Sequence, residues 1–174
     1  MAPRLSEVAG VQEMIIAHDL FAETNPAFCA YGLVGFCRKY SAAVGKSPSL
    51  ALGYLAIPIA LSDDLNETFE RTTTTTGLLS WLNRFPDIRV DLGERLDASK
   101  DIVSAAIRFG LSVQALALEA DGTISLGARK PSQTSAANLP QNPKRVLKRA
   151  ERLGTWMGKA GSAATIFSAF GVMP

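Results

Sequence analysis

Histidine is nearly missing from this chain, and cysteine is scarce: 174 residues hold one histidine, His18, and two cysteines, Cys29 and Cys37. A lone imidazole argues against a histidine pair for acid–base catalysis and against a histidine-based metal site. Two thiols are too few for a disulfide framework. Cys29 and Cys37 fall eight apart in a segment that reads as helix, about 12 Å along its axis, beyond the reach of a disulfide. The expectation is two small buried thiols in a reducing cytoplasm. Charged residues reach only 20%, too few for a disordered acidic or basic chain. Glycines 32, 35, 45 and 53 make no phosphate-cradling pattern, and neither Gly-Lys-Ser/Thr nor G-x-G-x-x-G after a strand occurs. The chain is therefore not itself a P-loop ATPase, and no cofactor is expected. Long apolar runs are also missing. Leu50 to Leu61, interrupted by Pro58, falls short of the roughly 20 residues a spanning helix needs. Met1-Ala2-Pro3-Arg4 leads into Glu7, Glu13 and Asp19 rather than a signal-peptide core. The expected location is the cytoplasm, with no membrane partner.

Hydrophobic residues make up 47%, enough for a core. The length suits one compact domain over residues 1–174, with approximate parts at 1–70, 71–128, 129–143 and 144–174. The net charge of +2 conceals an asymmetry. Residues 1–128 hold 10 basic and 15 acidic groups, net −5; residues 129–174 hold 8 basic groups against Glu151 alone, net +7. The break coincides with a Pro-, Ser-, Asn- and Gln-rich segment from Lys130 to Pro143, read as a loop.

Asn25-Pro26 is a helix-start signal, since Asn caps orphan amides and Pro at the first position lacks only an unpaired N–H. Phe28, Leu33, Phe36, Cys37 and Tyr40 follow near a 3.6 period, and Gly45 is the expected stop. Ser47-Pro48 predicts a second start, leading into the 50–61 run that is apolar on all sides and so central to the core. Thr76 is expected to cap a helix from about Gly77 to Arg84, with Leu78, Leu79, Trp81 and Leu82 as its apolar surface. A short helix is predicted over roughly Ile88 to Leu96. Ser99 is then expected to cap another over Lys100 to Phe109, with Ile102, Val103, Ala106 and Phe109 inward and Gly110 as the stop. Asp121-Gly122 between two alternating segments predicts a β-hairpin. Three short helices and a hairpin follow the order of a winged-helix unit. Two closing helices are predicted, about Lys144 to Lys159 and Ser162 to Phe170. The first has Val146, Leu147, Ala150, Leu153, Trp156 and Met157 on one side and Lys144, Arg145, Lys148, Arg149 and Arg152 on the other. The fold class is therefore mainly α with one β-hairpin, a winged-helix-like central unit packed against N- and C-terminal helices.

Chemistry-bearing motifs weigh little. His18 precedes Asp19, but neighbours on a helix face different ways, and no nucleophile-elbow setting lies nearby. Asp63, Asp64, Glu67 and Glu70 have helical spacing, yet a Mg²⁺ site needs further ligands or a substrate phosphate; a solvated face is expected. The threonine run reads as a connector rather than a phosphorylation site, and Trp81 and Trp156 as core. As a DNA reader the winged-helix unit would offer only Lys100, Ser104 and Arg108 beside Asp101, and residues 112–127 contain no Lys or Arg. Docking to protein suits that charge better.

Several segments resemble a known family. They are Asn25-Pro26-Ala27-Phe28-Cys29-Ala30, the Leu-Ala-Ile-Pro-Ile-Ala-Leu run at 55–61, and Arg71-Thr72 before the Trp81 helix. The ending is the most specific part: Leu153-Gly154-Thr155-Trp156, Gly161, Ala164-Thr165-Ile166 and Gly171-Val172-Met173-Pro174, with Met173 where an arginine is expected. From roughly residue 20 onward the chain resembles the middle component of bacterial three-component ABC systems. The resemblance implies a non-enzymatic adaptor between an ABC-type ATPase of the nucleic-acid class and a third, effector component, in defence against phage or mobile elements. It is compatible with a homo-oligomer and with weak or indirect nucleic-acid contact. Candidate contact residues are Lys144, Arg145, Lys148, Arg149 and Arg152, with Arg71 and Thr72. The alternative is a winged-helix DNA-binding transcriptional regulator.

Overall fold

Residues 24–174 are described by a computed structural model of the chain. Helix α1, Pro26–Val44, starts where Asn25 Oδ1 accepts the Ala27 N–H at 2.8 Å. It stops at Gly45, whose φ of 75° is open to glycine and which donates its N–H to the Ser41 carbonyl. Helix α2, Leu50–Leu61, carries Pro58 inside it and is almost wholly buried, as its unbroken apolar run requires. Its start differs from the Ser47-Pro48 expectation. The Pro48 carbonyl accepts the Ile124 N–H and Leu50 donates to Gly122, so residues 48–50 lie along the hairpin and the helix begins after Ser49. A 3-10 turn, Asp63–Leu65, leads into α3, Asn66–Glu70.

Thr76 does not cap α4, Leu78–Arg84. Gly77 precedes that helix with no side-chain cap, and the Thr76 hydroxyl accepts the Thr73 N–H at 3.0 Å instead. Leu78, Trp81 and Leu82 are buried, whereas Leu79 is exposed, contrary to expectation. After a second 3-10 turn, Pro86–Arg89, the two predicted short helices are one: α5, Leu92–Ser112. Ser99 lies within it and donates its hydroxyl to the Arg95 carbonyl, as helical serines do. Gly110 is not a stop. It is needed where a Cβ would come within 2.6 Å of Leu116 Cδ1. Helix α5 ends in a Schellman pattern, with Gln114 at φ 60°, Ala115 N–H to Gly110 O and Gln114 N–H to Leu111 O. Phe109 faces outward and Ile107 inward. Residues 71–128 thus hold two helices and a 3-10 turn before the hairpin, and not the three short helices expected of a winged-helix unit.

The hairpin pairs β1, Leu116–Leu118, with β2, Ile124–Leu126, antiparallel. Only Gly122 of the Asp121-Gly122 pair takes positive φ. The Gly122 N–H returns to Glu119 O, and Asp121 Oδ1 accepts from both the N–H and the hydroxyl of Thr123. The 130–143 segment contains a short exposed helix, α6, Gln133–Ala137, where a loop was expected. Helices α7, Gln141–Ala160, and α8, Ala163–Phe170, match the two predicted closing helices. Ser162 caps α8 and Gly171 ends it.

Helix α1 is the central element, packed on α7 along most of its length and on α5. Glycines let α7 approach closely: a Cβ on Gly154 would sit 2.4 Å from the Phe36 carbonyl oxygen. Phe69, Trp81, Trp156 and Phe170 join α3, α4, α7 and α8, with the two tryptophan rings 5.3 Å apart. Each indole N–H is satisfied, Trp81 by the Thr68 hydroxyl and Trp156 by the Thr74 carbonyl. Cys29 and Cys37 are buried free thiols, and burial pushes Cys37 up to about 12. Among the described residues, no helix is long and apolar enough to cross a membrane.

Candidate functional site

The sequence places Lys144, Arg145, Lys148, Arg149 and Arg152 together on one side of α7 as candidate contact residues. The structure divides them. Arg149 is 5% exposed, and its guanidinium turns inward to the ends of α2 and α3. It donates to the Ala60 and Ser62 carbonyls at 3.2 and 3.3 Å, and to Asn66 Oδ1. Asp63 stands 4.0 Å away, and the Phe69 ring lies under the guanidinium. Arg152 is half-buried and donates to the Phe69 and Thr72 carbonyls at 2.6 and 3.0 Å. Burial lowers its pKa from the ordinary arginine value. Together the two arginines satisfy carbonyls in the last turns of α2 and α3 and just past their ends, where partial negative charge accumulates. A planar group with five donors in a fixed fork can bridge several such carbonyls while stacking on a ring, a geometry a compact ammonium does not share.

Both arginines are therefore engaged inside the molecule. Thr72 is also occupied: it is buried and donates its hydroxyl to the Thr68 and Phe69 carbonyls. Of the sequence-predicted contact residues, Arg145, Lys148 and Arg71 stand exposed and Lys144 is half-buried. Arg71 reaches Glu67 at 3.7 Å and lies over the Phe85 ring. Arg145 and Lys148 rim a hollow of about 130 Å³ floored by Asn66, Phe69 and the inward arginines, with Glu70 at its edge. The fold brings these cations to one hollow and leaves Arg71 outside it.

The acidic set does not converge. Asp64 pairs with Arg95 at 2.6 Å, Glu67 with Arg71, and Glu70 accepts from Asn66. Among the described residues, no group of three or more His, Cys, Asp or Glu is placed to hold a metal ion. His18 lies outside the described residues. A cavity of about 560 Å³ between α2, α5 and α8 has its polar side chains paired with one another, Tyr54 with Ser104 at 2.8 Å and Lys100 with Asp97 at 2.6 Å. Hydrogen bonding to Asp97 raises the Lys100 pKa from its ordinary value. Sequence reasoning missed Asn66, which holds Arg149 from 83 residues away; no local signal marks such a pairing.

These features define a helical scaffold, stapled internally by arginines, that keeps Arg145 and Lys148 exposed on α7. The chain matches a family over residues 16–174, described as ABC-three component (ABC-3C) system Middle Component 3. It belongs to that family and is thus a component of a multi-part ABC system. No curated protein and no solved structure matches it.

Proposed function

We propose that the chain is a non-enzymatic adaptor of the bacterial cytoplasm that bridges an ABC-type ATPase and an effector component, in a system directed against phage or mobile elements. The observation that carries this reading is membership, over residues 16–174, of a family of middle components. The test is co-expression with the ATPase and the third component encoded beside it, followed by affinity capture through a tag on this chain. Capture of both in one complex is the expected result. A chain that captures neither refutes the adaptor.

A second reading, DNA binding, has the outward Lys144, Arg145 and Lys148 in its favour. It requires duplex affinity that falls steeply with salt through counterion release. Affinity unchanged by reversing those three charges removes α7 as the contact.

A further inference from the structure

At the opposite end of α1 from Gly45, a second surface combines apolar walls with positive charge that no carboxylate of the described residues answers. Phe109, Val113 and Leu126 are large apolar side chains left 39%, 37% and 46% exposed. They line two adjoining hollows of about 300 Å³ each, which share Tyr31, Val34, Ala115 and the 129–131 segment. The floor is α1, with small or aliphatic side chains at Ala27, Ala30 and Val34. Exposed apolar side chains gathered along one groove, rather than scattered singly, are the ordinary mark of an interaction site.

Charge narrows the occupant. Three cations line the groove, Arg38, Arg129 and Lys130, and no carboxylate does. Arg38 is answered by Glu151. Among the described residues, no carboxylate lies within ion-pair distance of the exposed Arg129 or Lys130. The backbone holds this pair in place. Arg129 donates its N–H to Gln114 O and Gly127 donates to Ala115 O, both at 2.9 Å. A Cβ at Gly127 would meet Gln114 O at 2.1 Å, so only glycine lets the segment close against the end of α5.

We infer that this groove docks an acidic peptide segment of a partner protein, its apolar anchor lying between Tyr31 and Val113 and its carboxylates meeting Arg129 and Lys130. Naming a partner protein rests on the adaptor reading. Two cations unpaired among the described residues, over an aliphatic floor, are too few to track a nucleic-acid backbone, whose affinity comes from many phosphate contacts. They suit carboxylates flanking a buried side chain.

The probe is a short fluorescent peptide alternating glutamate with leucine and phenylalanine, titrated into the full chain and followed by anisotropy. The expected result is saturable binding, abolished when lysine replaces glutamate in the peptide. Binding should weaken about tenfold or more in Val113→Glu and in Arg129→Glu/Lys130→Glu. All three positions are exposed, and circular dichroism confirms that the variants fold. Arg145→Glu/Lys148→Glu, on the α7 hollow, should bind normally. Equal binding by wild type and groove variants, displacement by a single-stranded oligonucleotide, or self-association through the groove overturns the inference. Co-capture of the ATPase and third component by a chain that ignores the peptide would overturn the groove and keep the adaptor. Peptide binding without co-capture would do the reverse.

Discussion

Gly154→Ala should destabilise the protein although it replaces the poorest ordinary helix former with the best. Gly154 lies in α7 against α1, where an added Cβ would stand 2.4 Å from the Phe36 carbonyl oxygen, 3.1 Å from the Tyr40 nitrogen and 3.2 Å from Lys39 Cβ. The nearest two are backbone atoms, so no side-chain rotation relieves the contact. The helices must separate by about 1 Å to restore van der Waals distance. Helix α1 cannot retreat, because α5 packs on it from another side. Overpacking of this kind costs about 1–3 kcal/mol. Helix propensity returns about 1 kcal/mol, leaving a net loss of roughly 1–2 kcal/mol at the upper part of that range. At about 2–4 °C per kcal/mol for a domain of this size, Tm should fall by roughly 2–8 °C. The control is Gly93→Ala in the first turn of α5, where nothing lies within 4 Å of the new Cβ. The same chemical change there should stabilise by up to about 1 kcal/mol. Gly158→Ala, with contacts no closer than 3.0 Å, should fall between them. Urea and thermal unfolding of the three variants give the order. A Gly154→Ala protein as stable as Gly93→Ala would refute the close approach of α1 and α7.

Arg149→Met leaves the Ala60 and Ser62 carbonyls without that donor and should cost about 2 kcal/mol or more in urea unfolding. Arg149→Lys should rescue little of it, while Arg145→Ala on the same helix should stay within about 0.5 kcal/mol. Burial raises Cys37 from its ordinary 9.0 to about 12, so the unfolded chain releases this proton first. Its contribution is complete below pH 9 and is lost as pH climbs towards 12. Stability should fall across that window more steeply in wild type than in Cys37→Ala, and a matching slope in both would contradict the burial. Lys144→Glu/Arg145→Glu places negative charge near the N-terminus of α7, whose first turn has no acidic residue. It should raise stability by roughly 0.5 kcal/mol at low salt, and an unchanged Tm would show the dipole contribution to be negligible there.

Features fixed by local backbone chemistry were legible in the sequence. Asn25-Pro26, Gly45 and Gly122 each act within a few residues, and the structure uses all three as read. The misreadings involve residues with the same chemistry that are overruled from a distance. Ser99 and Gly110 resemble a cap and a stop. Yet Val103, Ala106 and Ile107 bury one face of a continuous α5, and Gly110 is retained to admit Leu116. Pro48 is claimed by Ile124 on β2, 76 residues away. Each partner lies where periodicity carries no information about it.

Periodicity assigns a residue to a face by its Cα, whereas a long side chain acts where its head group ends. Arg149 and Arg152 sit on the polar side of α7 by spacing, yet their guanidinium groups close the ends of α2 and α3. The signal available in the sequence was the nature of the residues. Two arginines three apart, the second about one turn before Trp156, are better suited than lysines to bridging carbonyls while stacking on rings. Those two charges are committed to the fold, and the basic excess of residues 129–174 that faces outward is correspondingly smaller than composition indicates. Part of what remains lies in two hollows that share no lining residue, one rimmed by Arg145 and Lys148, the other by Arg129 and Lys130. The proposed adaptor role, one chain holding two components, calls for two separate surfaces of this kind.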